Sequence, residues 1–186
     1  MWGERKKRLM TKENRKGLTI VFTGNGKGKT TAALGTIFRA WGRGFRICVF
    51  QFLKAETGHW GEVQAAQKLG IEWYKTGDGF TWTTKNIDES KAKALHGWEL
   101  AKQKIRSDEY DLILLDEFTY PLVFGWIDTQ DTINWLSNNK PANLHLIITG
   151  RDAPQALIDY ADLVTKMEEV KHPFYQGIKA QPGIEF

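Results

Sequence analysis

Residues 23–31, Thr-Gly-Asn-Gly-Lys-Gly-Lys-Thr-Thr, put three glycines, two lysines and three hydroxyls into nine positions. This composition suits the wrapping of a polyphosphate. Glycines let the backbone turn closely, so that successive N–H groups point at phosphate oxygens. Lys29 is spaced to reach the outer phosphates, and the Thr30 hydroxyl is placed to bind Mg²⁺, or Mn²⁺ in its place. Gly24, Asn25, Gly26, Lys27, Gly28, Lys29, Thr30 and Thr31 are the expected nucleotide contacts. The usual phosphate-loop glycine five positions before Gly28 is replaced by Thr23, so the loop is a variant.

Three other groups carry chemistry. Asp116 and Glu117 follow the aliphatic run 112–115, where a carboxylate could hold the metal directly or through water. Spacing does not separate the roles of the two acids. Phe80 and Trp82 lie in the glycine-containing stretch 77–82. They could stack on a flat ligand or simply pack into the core. Arg151 follows the run 144–149 and could bind phosphate or a carboxylate, or cap a helix. The serines are far from any nucleophile elbow, and the four histidines lack metal-ligand spacing.

These residues need a scaffold that brings them to one crevice. The run 18–22 predicts a strand, and 32–41 predicts a helix whose N-terminus adds partial positive charge at the loop. Further strands are expected at 46–53, 71–75, 112–115, 144–149 and 163–167. Helices are expected at 61–69, 87–106 and 129–137, with a short one ending at Tyr160. The tail 171–186 reads as irregular. Alternation of this kind implies a three-layer α/β fold: a mostly parallel sheet with helices on both faces, P-loop NTPase-like of the RecA-like kind. Ligands in such sheets bind at the carboxyl ends of the strands, where every motif above falls.

Composition is that of an ordinary globular domain, 41% hydrophobic and 26% charged over 186 residues. The net charge of +4 is uneven. Residues 1–17 hold seven Lys/Arg against two Glu, or +5, and the other 169 residues sum to −1. The expected layout is therefore a basic arm over 1–17 and a single domain over 18–186. The arm could bind a polyanion or cover a polyanionic site, or be a solvated terminus. The near-neutral body argues against an extended nucleic-acid groove. No stretch reads as a membrane span or secretory signal, and Cys48 is the only cysteine. A reducing cytoplasm is the expected setting.

With these pieces assembled, the chain resembles the phosphate-loop ATP:corrinoid adenosyltransferases over about residues 16–186. The most specific marks are 24–31, 77–82, 115–117, 149–154 and the ending 171–174 with 177–186. The variant loop agrees with that family. The resemblance implies two substrates, ATP and cobalamin or another corrinoid. Cobalt(I) attacks the ribose 5′-carbon and triphosphate leaves, in adenosylcobalamin synthesis or salvage. It implies reversed ATP in the loop, and roles in the reaction for Lys29 and Glu117. Arg39 becomes a nucleotide contact, and Phe80 and Trp82 press on the lower face of the corrinoid. It also implies a homodimer, with the arm over a partner's site, and a flavoprotein reductant. It implies neither a nucleic-acid nor a membrane partner.

Two rivals use the same residues. An ordinary phosphate-loop ATPase or kinase would use Glu117 to polarise water or an acceptor hydroxyl, and would release ADP. An ATP-gated nucleic-acid-binding module would use the basic arm, and its binding would be sensitive to salt.

Overall fold

The run that precedes the glycine loop forms a buried strand, β1 (Thr19–Thr23), and the helix α1 (Lys29–Trp41) starts as the loop ends. The computed structural model describes residues 15–55, 60–77 and 87–184. Phe80, Trp82 and most of the basic arm lie outside the described residues. After α1 the chain runs through β2 (Ile47–Ala55), α2 (Gly61–Lys68), β3 (Glu72–Gly77), α3 (Ile87–Arg106) and β4 (Leu112–Asp116). Then come α4 (Thr119–Val123), α5 (Thr129–Asn139), β5 (His145–Thr149), α6 (Gln155–Tyr160) and β6 (Leu163–Lys166). A short 3₁₀ turn, Pro173–Gln176, interrupts the otherwise irregular tail.

The six strands form one sheet in the order β3-β2-β4-β5-β1-β6, and every pair is parallel. The expected α/β class is therefore the observed one. Strands in such sheets are covered on both faces and so read as near-continuous apolar runs. Leu112–Leu115 illustrate this: Ile113 and Leu115 enter one core, Leu112 and Leu114 the other. The first core packs α3 and α5 through Ala94, Trp98, Ala101, Ile105 and Leu136. The Trp98 ring lies 5.0 Å from Phe118 and 5.5 Å from Trp135. The second core packs α1 through Ala33, Ile37 and Ala40, together with Ala66 of α2.

One helix departs from expectation. The five-residue α4 follows the acid pair and contains Pro121. Proline in a first turn loses no intrahelical bond, because that N–H would have had no partner.

The start of the described chain is tied to the amino ends of the strands. The Arg15 guanidinium donates to Asp111 at 2.7 Å and sits 4.4 Å over the Phe45 ring, while Lys16 donates to Asp162 at 2.9 Å. These two cations serve the body of the fold.

Strand order decides where the chemistry converges. β5 lies between β1 and β4, so the end of β5 stands between the glycine loop and the acid pair. Register refines the placement: Asp116 is level with Gln51, Leu115 with Ile148, and Phe22 with Thr149. Gln51, Asp116, Thr149 and Thr23 thus share one carboxyl-terminal rim.

Gly35 lies mid-helix in α1, and a methyl built there meets nothing within 4 Å. Gly35→Ala should therefore stabilise the fold by about 0.5–1 kcal/mol, since alanine loses less backbone entropy in a helix. Thermal unfolding checks this, and a lowered Tm would contradict it.

Candidate nucleotide site

Two glycines shape the loop. Gly24 has φ +96° and Gly28 has φ +106°, the latter as N-cap of α1. The segment after β6 braces the loop from outside. Met167 N–H donates to Thr23 O at 2.8 Å, and Gly26 N–H donates to Met167 O at 2.9 Å. The approach is close enough that Cβ atoms at Gly24 and Gly26 would fall within 2.6 Å of the Met167 or Glu168 backbone.

Lys29 is buried inside this curl. Its Nζ donates to the carbonyls of Gly24 and Gly26, each at 2.8 Å. Burial lowers its pKa from the ordinary lysine value, against an opposing pull from Glu117 and a further lowering by Arg151. The ammonium is held at the mouth of the loop and can exchange carbonyls for phosphate oxygens.

The acid pair splits into two environments. Asp116 is fully buried and accepts three hydrogen bonds. Thr30 Oγ1 and Thr149 Oγ1 donate to its Oδ1 at 2.9 and 2.7 Å, and Gln51 Nε2 donates to its Oδ2 at 3.1 Å. Glu117 is less buried and has φ +60°, the left-handed region that residues other than glycine seldom enter. Its N–H donates to Thr149 Oγ1 at 3.0 Å. Asp152, beyond the end of β5, has φ +52°. Backbone strain of this kind, costing about 1–3 kcal/mol per residue, concentrates at functional sites.

The structure thus brings together the glycine loop, Lys29, Thr30, Asp116 and Glu117, with Arg151 close enough for its charge to be felt at Lys29. Asn25, Lys27 and Thr31 lie on the exposed side of the loop and first turn. Arg39 is placed differently. It is exposed in the last turn of α1, ten residues from Lys29, or about 15 Å along the axis. The helix carries it away from the loop within this chain. Phe80 and Trp82 lie outside the described residues.

The expected set lacked Gln51, Thr149 and the bracing Met167. Gln51 did leave a signal, a polar residue within the apolar run Ile47–Leu53. Thr149 opens the mark 149–154, but its role could not be read there, because that role comes from strand order.

Among the described residues, no group of three or more His, Cys, Asp or Glu could hold a metal by itself. The oxygen donors of Thr30, Asp116 and Glu117 nevertheless suit a hard cation that keeps several waters or phosphate oxygens. Thr30 spends its only proton on Asp116 and so has lone pairs left for a cation. No helix of the described residues is long and apolar enough to cross a membrane.

Known proteins resemble this chain in sequence and in fold. The family model for ATP:corrinoid adenosyltransferase BtuR/CobO/CobP matches residues 15–186. A corrinoid adenosyltransferase of Sinorhizobium is 43% identical, with 98% of this chain and 86% of that protein aligned. The corrinoid adenosyltransferase of Escherichia coli K12 is 39% identical, over 96% and 90%. The corrinoid adenosyltransferase CobA of Salmonella typhimurium is also 39% identical, over the same shares. In fold alone, the chain is similar to the crystal structure of flagellar accessory protein FlaH from Methanocaldococcus jannaschii. The TM-score is 0.59 at 8% identity, covering 83% of this chain and 72% of that one.

Proposed function

Because the chain belongs to the ATP:corrinoid adenosyltransferase family, we infer that its glycine loop holds ATP while the cobalt(I) of a reduced corrinoid takes the adenosyl group. The cobalt electron pair forms a bond to the ribose C5′. The C5′–O bond breaks, and triphosphate leaves with the electron pair of that bond. Cobalt(I) is the nucleophile, so no protein base has a proton to remove.

The protein's work is orientation and charge. ATP lies reversed in the loop, with C5′ toward the corrinoid. Lys29, Lys27, the loop amides and Arg151 oppose the charge growing on triphosphate. Mg²⁺ or Mn²⁺, when bound, would add positive charge on the phosphate oxygens. Thr30 and Glu117 would hold it, with Asp116 acting through the Thr30 hydroxyl. The observation that carries this reading is the convergence of Lys29, Thr30 and Asp116 at the carboxyl ends of β1 and β4, the two strands that flank β5.

Phe80 and Trp82 serve the corrinoid. Large apolar side chains against its lower face displace the lower axial ligand, which raises the cobalt potential and eases reduction. The enzyme acts as a cytoplasmic homodimer with a flavoprotein reductant, and the basic arm covers a partner's site.

Anaerobic incubation with ATP and reduced cobalamin tests the reading. The expected products are triphosphate and a light-sensitive cobalt–carbon compound. Rapid release of ADP without corrinoid would favour the ATPase rival.

Phe80→Ala or Trp82→Ala should slow adenosylation when a protein reductant acts on enzyme-bound cobalt(II). The loss should be much smaller when cobalt(I) is supplied ready-made, and ATP affinity should hardly change. Equal losses in both assays, with stability intact, would remove the role in reduction.

A further inference from the structure

The hydroxyl of Thr149 touches both acids. It is fully buried at the end of β5. Its only proton goes to Asp116 Oδ1 at 2.7 Å, and its oxygen accepts the Glu117 N–H at 3.0 Å. A carboxylate only accepts, so Thr30 and Thr149 both donate into the same Oδ1. The Gln51 amide holds the other oxygen, which fixes the rotation of the carboxylate. Glu117 departs from the strand in a left-handed conformation at φ +60°, and its amide is held by the same threonine.

We propose that Thr149 is a positioning residue for the metal–nucleotide site. It aims Asp116 at the Thr30 hydroxyl and holds the backbone turn that presents Glu117, so that Mg²⁺ and ATP meet ligands already in place. This rests on the reading that ATP binds with Mg²⁺ through Thr30 and the acid pair. Deleting the hydroxyl removes one of two donors to Asp116 Oδ1 and leaves the Glu117 amide without its acceptor. The metal ligands then lose their mutual orientation, while the phosphate loop is untouched. Preassembly of this kind is what supporting hydrogen bonds contribute to metal sites.

ATP titration by calorimetry, once with Mg²⁺ and once with EDTA, separates these effects. The Mg²⁺-dependent gain in affinity should fall at least about tenfold in Thr149→Val, the scale of one charge-assisted hydrogen bond. In EDTA the affinity should stay within about twofold of wild type, since the loop contacts persist. Thr149→Ser keeps the hydroxyl and should recover most of the gain. The electron paramagnetic resonance spectrum of Mn²⁺ with ATP should broaden in Thr149→Val and return toward wild type in Thr149→Ser.

A purely structural threonine would lower both affinities together, and that result overturns the proposal. So does a folded Thr149→Val with the full Mg²⁺ gain, or a Thr149→Ser as poor as the valine variant. Wild type without any Mg²⁺ gain would remove the metal reading itself, and the proposal with it. If Thr149→Val does not fold, Thr149→Cys replaces it in the same titration. Its thiol is a weak donor, so a partial loss of the gain is expected, and an undiminished gain overturns the proposal.

Discussion

A Lys29→Ala variant should bind ATP about 10- to 100-fold more weakly than wild type, and its adenosyl transfer should fall further. One hydrogen bond to a charged group is worth about 1.5–3 kcal/mol, and each 1.4 kcal/mol is tenfold in affinity. Among the described residues, the Lys29 Nζ donates to two loop carbonyls at 2.8 Å. Those contacts hold the ammonium where a polyphosphate would enter. In the reaction the leaving triphosphate gains charge, so the same ammonium matters more in the transition state than in the ground state.

The pH dependence of ATP binding carries a second signature of this residue. Burial favours the neutral amine and so lowers the pKa, while Glu117 opposes it. A polyphosphate prefers the charged form. ATP affinity should therefore decline on the alkaline side before an ordinary lysine would lose its proton, and Lys29→Ala should lack that decline. Calorimetry showing unchanged ATP affinity in a folded Lys29→Ala protein would remove the loop from the reading.

Much of this arrangement was legible in the sequence, and what was not has identifiable causes. The buried strands announced themselves because a parallel sheet covered on both faces demands apolar runs, as in Leu112–Leu115. The loop was legible because its chemistry is local: glycines, Lys29 and Thr30 are neighbours in the chain. The short α4 was not, since five residues containing Pro121 show no helical period.

The pairing of Thr149 and Gln51 with the acid was hidden for a deeper reason. Their partner, Asp116, is 33 and 65 positions away. Only the strand order, with β5 between β1 and β4, brings them to it. The separation of Asp116 from Glu117 was hidden likewise. Adjacent acids at a strand end look alike in sequence, yet register buries the first and a left-handed turn redirects the second.

A large loss of stability should come from Gly24→Ala. At φ +96° an L side chain is strained, at a cost of about 1–3 kcal/mol. Space adds to the strain. The new Cβ would lie 2.3 Å from Met167 O and 2.8 Å from Met167 N. Both are backbone atoms that rotamer changes cannot move, and both are paired to the loop at Thr23 and Gly26. Relieving the clash means pulling the end of β6 away and losing those two hydrogen bonds, each worth about 1 kcal/mol net.

A total of about 3–5 kcal/mol, at about 2–4 °C per kcal/mol for a chain of this size, lowers the Tm by about 6–20 °C. ATP binding should fall with it, because Lys29 donates to the Gly24 carbonyl. Gly28→Ala is the comparison. Its φ of +106° carries similar strain, but its Cβ would meet the Met167 side chain, Sδ at 3.3 Å and Cε at 4.0 Å, which is flexible and can withdraw. Gly28→Ala should therefore lower the Tm by roughly half as much, the strain alone of about 1–3 kcal/mol. Thermal unfolding of the two variants side by side decides the matter. If Gly28→Ala proved as damaging as Gly24→Ala, backbone strain would account for the whole effect, and the bracing of the loop by Met167 for none of it.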